Sequence, residues 1–357
     1  KAYIGIGGKA RKVKKMYIGV GGKARLCYSA ELEKVGMATA LSTTRYDMRA
    51  ATVGKYALFA GGYISKSSFG YSVSSSVDAY NTSLTKSTPT ELSCKRCGHA
   101  AASVGGYALF AGGASSYNLL GIYENLVSAV DAYDASLTRS AAHIIGATVA
   151  IGGAAVGNYA LFAGGTVYSQ INKDNVTSDV LAYDPSLTFT TAPLLSVARA
   201  NVKGASAGNY ALFAGGRAGS FCTTVDAYNA SLTRTTATAL SSTKNNSAAA
   251  TVGNHAIFVG NTASADIYDA SLTKTSAAIL STARMGLAAT TVGDYAIFSG
   301  GGVADFCDAS LTRSSIGTSM TGYDMGAATI GDYALFAGGH SGEKSDTAYD
   351  SVEVYTA

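Results

Sequence analysis

Seven near-copies of one apolar heptapeptide constrain this chain more than any other feature. Tyr-Ala-Leu-Phe-Ala-Gly-Gly begins at Tyr56, Tyr107, Tyr159, Tyr210 and Tyr333, and variants begin at His255 and Tyr295. Val-Asp-Ala-Tyr-Asp-Ala-Ser-Leu-Thr, or a close relative, follows six of the seven. The start points are 51, 52, 51, 45, 40 and 38 residues apart. Self-similarity at such a period marks a repeat architecture, in which each unit covers a face that its neighbour leaves open. That period overrides the division into two domains that a length of 357 residues would otherwise suggest.

One unit reads as four short strands: 100–104, 107–111, 130–133 and 137–142. Gly105-Gly106 turns the chain after the first strand, and Asp134-Ala135-Ser136 turns it after the third. Glycine supplies the positive φ that two-residue hairpin turns demand. The abundance of Gly (42) beside only 3 Pro fits many such turns. Tyr-Ala-Leu-Phe-Ala is apolar without alternation, the pattern of a strand buried on both faces. Four strands per unit, seven times over, predict an all-β, seven-bladed β-propeller. The seventh unit supplies three strands and then the chain stops. Residues 36–42 match residues 235–241, a fourth strand elsewhere, so they are expected to complete the seventh blade and remove its free edge. The expected organisation is an arm over residues 1–30 and a propeller over 31–357.

The apolar strand ending in Gly-Gly, then Val-x-x-Tyr-Asp, at a period of about 50 residues, resembles the kelch repeat. The resemblance covers roughly residues 36–357. Kelch repeats usually carry Trp seven residues beyond that Tyr. Here those positions hold Ser87, Ser140, Thr190, Thr235, Thr275 and Ser314, and the chain has no Trp, so the likeness is to a divergent, kelch-like propeller.

Strand alternation puts the 1–2 and 3–4 turns on one face of the disc and the 2–3 and 4–1 loops on the other. The first face is uniform. The second varies, with long 2–3 loops at 63–76, 114–129, 166–179 and 340–351. These belong to blades 1, 2, 3 and 7, which are contiguous once the ring closes, so a raised wall is expected there. Its tips carry Tyr63, Phe69, Tyr71, Tyr117, Tyr123 and Tyr168. Aromatic, Ser- and Asn-rich loops on a rigid scaffold make a recognition surface. The 4–1 loops carry Leu-Ser-x-x-(Arg/Lys), giving Arg45, Arg96, Arg199, Lys244 and Arg284, with Thr148 and Gly322 at the equivalent positions of units 3 and 7. Two readings stay open. The bases bond carbonyls between blades, or they ring the channel mouth and bind carboxylate or phosphate. The kelch resemblance implies for the second reading an adaptor that takes an acidic peptide.

Residues 1–30 hold eight basic groups and no acid, while the remainder carries a net charge of −4 (19 basic, 23 acidic). Tyr-Ile-Gly-(Ile/Val)-Gly-Gly-Lys-Ala-Arg occurs at 3–11 and again at 17–25, so the arm is a small two-unit β motif. Tyr3, Lys9, Arg11, Tyr17, Lys23 and Arg25 mark the two copies. Its patterning favours a protein-bound tether over nucleic-acid binding. The phrase resembles N-terminal segments of phage and prophage structural proteins. That resemblance implies an attachment stem, virion partners through the arm, oligomerisation through it, and a place in a phage tail; the adaptor reading would place the chain in the bacterial cytoplasm.

Catalysis is not expected. No nucleophile signature occurs, the four histidines are scattered, and no cofactor motif is present; Gly-Gly-Lys lacks the spacing of a phosphate-binding loop. Cys94-Lys95-Arg96-Cys97 is one CxxC pair without the second pair a zinc site needs. Five cysteines at wide spacing do not make a disulfide framework. No stretch of about 18 apolar residues occurs, so no membrane span is expected. Kelch-like propellers include a copper oxidase and a sugar epimerase, but no matching ligand set is found here. The expected function is recognition of a host surface glycan or protein by the variable face. A cytoplasmic adaptor and a sugar-acting enzyme are the alternatives.

Overall fold

The computed structural model describes residues 3–6, 9–12, 15–20, 23–29, 31–67, 70–119, 122–167, 175–244, 248–342 and 347–357. Every regular element among them is a β-strand. Seven four-stranded antiparallel sheets repeat one order, from an inner strand outward. The inner strands are Arg49–Val53, Ala100–Val104, Gly152–Val156, Lys203–Ala207, Ala248–Val252, Ala288–Val292 and Gly326–Ile330. Each packs on the next, and the seventh packs on the first, so the ring is closed.

The second strands explain the unbroken apolar heptapeptide. In Tyr56–Ala60, Ala57 and Phe59 face the seventh blade, in one cluster with Leu335, Val352 and Val354. Leu58 and Ala60 face the second blade, beside Ala108, Phe110 and Tyr133. One strand therefore serves two interfaces, and all four side chains are fully buried. Within six of the seven blades a Phe meets the Tyr of the Val-Asp-Ala-Tyr phrase edge-on, as in Phe59–Tyr80 at 5.9 Å; in the sixth blade Cys307 replaces the Tyr. That Tyr also ties blades together. Tyr80 donates to the Thr39 carbonyl (2.7 Å), Tyr133 to Thr90 (2.8 Å) and Tyr183 to His143 (2.7 Å), each just beyond the fourth strand of the preceding blade.

A second belt runs around the channel through the fourth residue of each inner strand. The Ser103 hydroxyl donates to the Thr52 carbonyl (2.7 Å), Ser206 to Ala155 (2.7 Å), Thr251 to Ser206 (3.0 Å) and Thr52 to Thr329 (2.8 Å). Thr291 donates to Thr251, and Thr329 to Thr291. Six of the seven links are present; Ala155, without a hydroxyl, interrupts the belt. On the turn face, a Cβ added at Gly54 (φ +53) would lie 2.9 Å from the Ala135 Cβ of the next blade, so both backbone conformation and close approach demand glycine there.

Ring closure follows the expected device with a shifted boundary. The closing strand is Glu33–Ala38, not 36–42, and it pairs with Val352–Thr356. It begins earlier because Lys34 reaches the fully buried Glu353 carboxylate, and a bulge between Val354 and Tyr355, opposite Gly36 (φ 137), lets the pairing run on. The fourth strand of blade 2 is shorter than expected, Arg139–Ala141. Upstream of residue 31 lie two hairpins, Tyr3–Ile6 with Lys9–Lys12 and Lys15–Val20 with Lys23–Ser29. Tyr3, Lys9, Arg11, Tyr17, Lys23 and Arg25 fall in these strands.

An eighth four-stranded sheet is not a blade. The 2–3 loops of blades 1 and 2 pair with each other in the order Tyr123–Leu126, Ala114–Tyr117, Gly70–Val73, Tyr63–Ser67. The expected raised wall is thus, over these two blades, a sheet standing on the rim of the ring.

Candidate functional site

The repeated bases do not line the mouth of the channel. Arg45, Arg96 and Arg199 are fully buried. Arg45 donates to the Gly61 (3.1 Å) and Ser76 (2.7 Å) carbonyls and pairs with Asp78. Arg96 bonds the Ala129 carbonyl (2.9 Å) and Asp131. Arg199 bonds the Gly215 (2.9 Å) and Phe213 (3.0 Å) carbonyls and Asp226 (2.9 Å). Lys244 reaches Asp266 at 3.3 Å, and Arg284 pairs with Asp305. The Asp of each Val-Asp-Ala-Tyr phrase is the partner, and it takes a second cation from the fourth strand, such as Arg139 on Asp131 (2.8 Å) or Arg234 on Asp226 (2.9 Å). A buried carboxylate needs such pairing. Blade 3 has lost all three charges together: Thr148, Leu181 and Phe189 replace them, and Phe189 stacks on His143 at 4.5 Å. The open question about these bases is answered by their burial: each is a clamp between a 4–1 loop and the blade it enters.

The mouth is built from residues next to the clamps. Two positions after the clamp position the chain turns through the left-handed region in the six blades where that residue is described, at Asp47 (φ 50), Gly98 (φ 60), Ala150 (φ 60), Asn201 (φ 57), Gly286 (φ 63) and Asp324 (φ 51). Asp and Asn tolerate this conformation better than most residues. The amide of one such residue bonds the carbonyl of the preceding one: Asp324 to Gly286, Asp47 to Asp324, Ala150 to Gly98 and Asn201 to Ala150, all at 2.7 Å. A rigid rim results. Two residues further on, the inner strand begins. Its first residue is Ala or Gly in five blades, but Arg49 in blade 1 and Lys203 in blade 4.

The wall supplies the other side. In blades 1, 2, 3, 4 and 7 the residue after the Gly-Gly pairs with the residue following the clamp position, as in Tyr63 with Tyr46 and His340 with Tyr323. A Cβ at Gly62 (φ +96) would sit 2.5 Å from the Tyr46 carbonyl, so this approach requires glycine. Rings then run along the rim without a break: Tyr323–His340 (6.3 Å), His340–Tyr46 (4.7 Å), Tyr46–Tyr63 (5.1 Å), Tyr63–Tyr117 (5.4 Å) and Tyr117–Tyr123 (4.8 Å), with Tyr71 5.2 Å from Tyr117. Tyr63, Tyr71, Tyr117 and Tyr123 therefore converge as the sequence suggested. Phe69 and Tyr168 lie outside the described residues.

Wall and rim enclose a cavity of about 370 Å³. Its polar side chains are Asp47, Arg49, Asn201, Lys203, Asp324 and His340. Arg49 holds Asp47 at 2.7 Å, and His340 Nε2 lies 3.1 Å from Asp324. Burial pushes the Tyr63 and Tyr123 phenols up, aided by neighbouring groups, so both are neutral donors. Burial pulls the Lys203 ammonium down, with a further push from the Arg49 charge that Asp47 and Asp324 partly offset. Burial would lower Arg49 too, but Asp47 outweighs it and the guanidinium stays charged. Asp47, Arg49, Lys203, Asp324 and His340 were missed by the sequence reading. The signal available for Arg49 and Lys203 was their departure from Ala or Gly at one repeat position. Cys97 is buried, its thiol pushed up to about 12 by burial, and among the described residues no three metal-ligating side chains converge.

No protein-family model and no curated protein matches the chain. Among solved structures, that of YjhT is similar, with a TM-score of 0.57, 12% sequence identity, and coverage of 90% of this chain and 99% of that one. At that identity the likeness concerns the fold: the chain is a β-propeller along nearly its whole length.

Proposed function

We propose that this chain is a recognition protein that binds a carbohydrate at the mouth of its channel. The observation that carries this reading is the convergence of Tyr71, Tyr117 and Tyr123 with Asp47, Arg49, Asn201 and Asp324 around one cavity. Sugar rings present apolar C–H faces that pack on aromatic side chains, and hydroxyls that need directional donors and acceptors. Both are supplied here on a scaffold of short strands. The acidic-peptide adaptor loses its support, because the repeated bases are consumed in buried pairs.

The arm serves in this reading as the attachment stem of a phage or prophage tail-associated protein, with a host surface glycan as the ligand. The layout supports it. Glu33–Ala38 leads directly into a 4–1 loop on the cavity face, so its Glu33 end lies on the opposite, uniform face. The stem thus joins the disc away from the binding mouth. A sugar-acting enzyme is the second reading, favoured by the His340–Asp324 pair inside the cavity, which has the make-up of a proton-transfer couple.

A glycan array probed with the full chain tests the first reading. Binding should fall at least about tenfold in Tyr117→Ala, the loss of one stacked ring. Binding that survives Tyr71→Ala and Tyr117→Ala together refutes the site. Conversion of a bound reducing sugar, followed by proton NMR and abolished in His340→Ala, would instead establish the enzyme. Deletion of residues 1–30 should leave glycan binding intact and remove the protein from tail particles.

A further inference from the structure

We infer that the carbohydrate taken at the mouth carries an oxyanion, held between Arg49 and Lys203; this deepens the carbohydrate reading and rests on it. The carrying observation is that two cations lining one cavity keep unspent donors. Both acids there have a cationic or imidazole partner: Asp47 Oδ1 receives Arg49 Nη1 at 2.7 Å, and Asp324 Oδ2 faces His340 Nε2 at 3.1 Å. The Lys203 ammonium makes no side-chain hydrogen bond or ion pair among the described residues, and Asp47 and Asp324 act on it only at longer range. Arg49 spends only Nη1, on Asp47 and on the Asp47 (3.4 Å) and Met48 (3.2 Å) carbonyls. Its Nε and Nη2 have no partner among the described residues, yet neither is a sealed buried atom. Both cations line the cavity with donors unspent on the described residues.

The placement is not a by-product of the repeat. Repeat-encoded cations are silenced by repeat-encoded carboxylates. Arg49 and Lys203 occupy a position that is otherwise Ala100, Gly152, Ala248, Ala288 or Gly326. Enclosure and the Arg49 charge lower the Lys203 ammonium, against the opposing pull of Asp47 and Asp324. An anion between the two cations would relieve both. A guanidinium fork with two unspent N–H groups suits a carboxylate or a sulfate ester, and an ammonium opposite it acts as a point charge. The sugar ring would then lie against Tyr117 and Tyr71, with its hydroxyls toward Asp324 and Asn201.

The test is an array bearing neutral hexose, hexuronate-terminated and sulfated oligosaccharides, probed with the full chain and with Lys203→Gln and Lys203→Arg. Wild-type signal should be confined to acidic spots. It should fall about tenfold or more in Lys203→Gln, the loss of one charged hydrogen bond. It should persist in Lys203→Arg and weaken as salt rises. Uronate against sulfate spots identifies which oxyanion is used. Signal on neutral spots, unchanged in Lys203→Gln, overturns the oxyanion and leaves the carbohydrate reading in place. Absence of signal on every spot overturns both. If Lys203→Gln fails to fold, competition on the wild-type chain decides: glucose displacing the probe as well as glucuronate does would overturn the inference.

Discussion

Replacing Arg199 by Thr isolates the clamp from every other feature of the ring, because blade 3 already shows what a blade without one looks like. Arg199 is fully buried and satisfies the Gly215, Phe213 and Val197 carbonyls as well as Asp226. Its removal leaves these carbonyls without that donor, and leaves Asp226 with Arg234 (2.9 Å) and Ser196 alone. Breaking a buried pair from one side costs about 3–5 kcal/mol. Unfolding entropy near 60 °C is about 2.1 cal/mol/K per residue, or roughly 0.7 kcal/mol/K for a propeller over residues 31–357, so Tm should drop by about 4–7 °C. The blade-3 combination, Arg199→Thr with Asp226→Leu and Arg234→Phe, removes both signs of charge and should return to within about 1 kcal/mol of wild type, since packed apolar groups replace buried pairs at little cost. Scanning calorimetry and urea titration read both variants. A single variant as stable as wild type, or a triple variant no better than the single, refutes the clamp. A stable Arg199→Thr protein that has lost its glycan would return this arginine to the binding site.

Three further outcomes follow from the same geometry. Ala155→Ser supplies the missing hydroxyl of the channel belt and should stabilise the fold by about 0.5–1 kcal/mol, the net worth of one hydrogen bond, measured by urea midpoint; an unchanged midpoint means the belt is incidental. Lys34→Met leaves Glu353 without its cation and should cost about 2 kcal/mol, less than a sealed pair because Lys34 is partly exposed (27%). Burial would raise the Glu353 carboxyl, but bonds from Lys34 and then Ser319 hold it below its ordinary 4.5, so its contribution is present above that pH and lost as pH falls through the lower folded value; the variant should flatten this acid limb of the stability curve. Lys203→Gln should raise Tm while weakening glycan binding. The folded ammonium titrates below its ordinary 10.5, so its penalty is fully present at neutral pH and fades as pH rises through the folded value.

What could be read from the sequence was what the repeat states seven times. Strand positions, the ring and its closure all depend on short patterns, and repetition averages out local exceptions. The aromatic wall was legible for Tyr63, Tyr71, Tyr117 and Tyr123 because loop length and ring content are local facts. The direction of an arginine is not local. Arg45 finds Asp78 thirty-three residues away, across the second strand of its own blade. The clue existed in the joint replacement of base and acid by Thr148 and Leu181 in one unit, because a base and an acid that vanish together were paired. The wall sheet was hidden for a related reason: its two inner strands, Gly70–Val73 and Ala114–Tyr117, come from loops of different blades and share no motif. The closing strand was found but placed three residues late, because the bulge beside Val354 shifts Lys34, the counterpart of Arg234 opposite the repeated Tyr, by one residue out of the aligned motif.

A ring of seven similar blades has no preferred side, so a specific site must come from what the repeat does not impose. Here the charges that recur are neutralised inside the blades, and those that do not recur gather at the mouth. The wall stands on blades 1 and 2, and His340 and Asp324 come from the seventh blade beside them. Lys203 enters from blade 4, across the channel. Blades 4, 5 and 6 carry only short 2–3 loops, so the cavity is low on that side. A chain of sugars would enter over those blades, meet the tyrosines end-on, and leave its terminal unit between Arg49 and Lys203. Extending the 2–3 loop of blade 5, at Thr262, by a rigid hairpin should therefore block long glycans while sparing a free monosaccharide. Equal inhibition of both would mean that the ligand approaches along the wall instead.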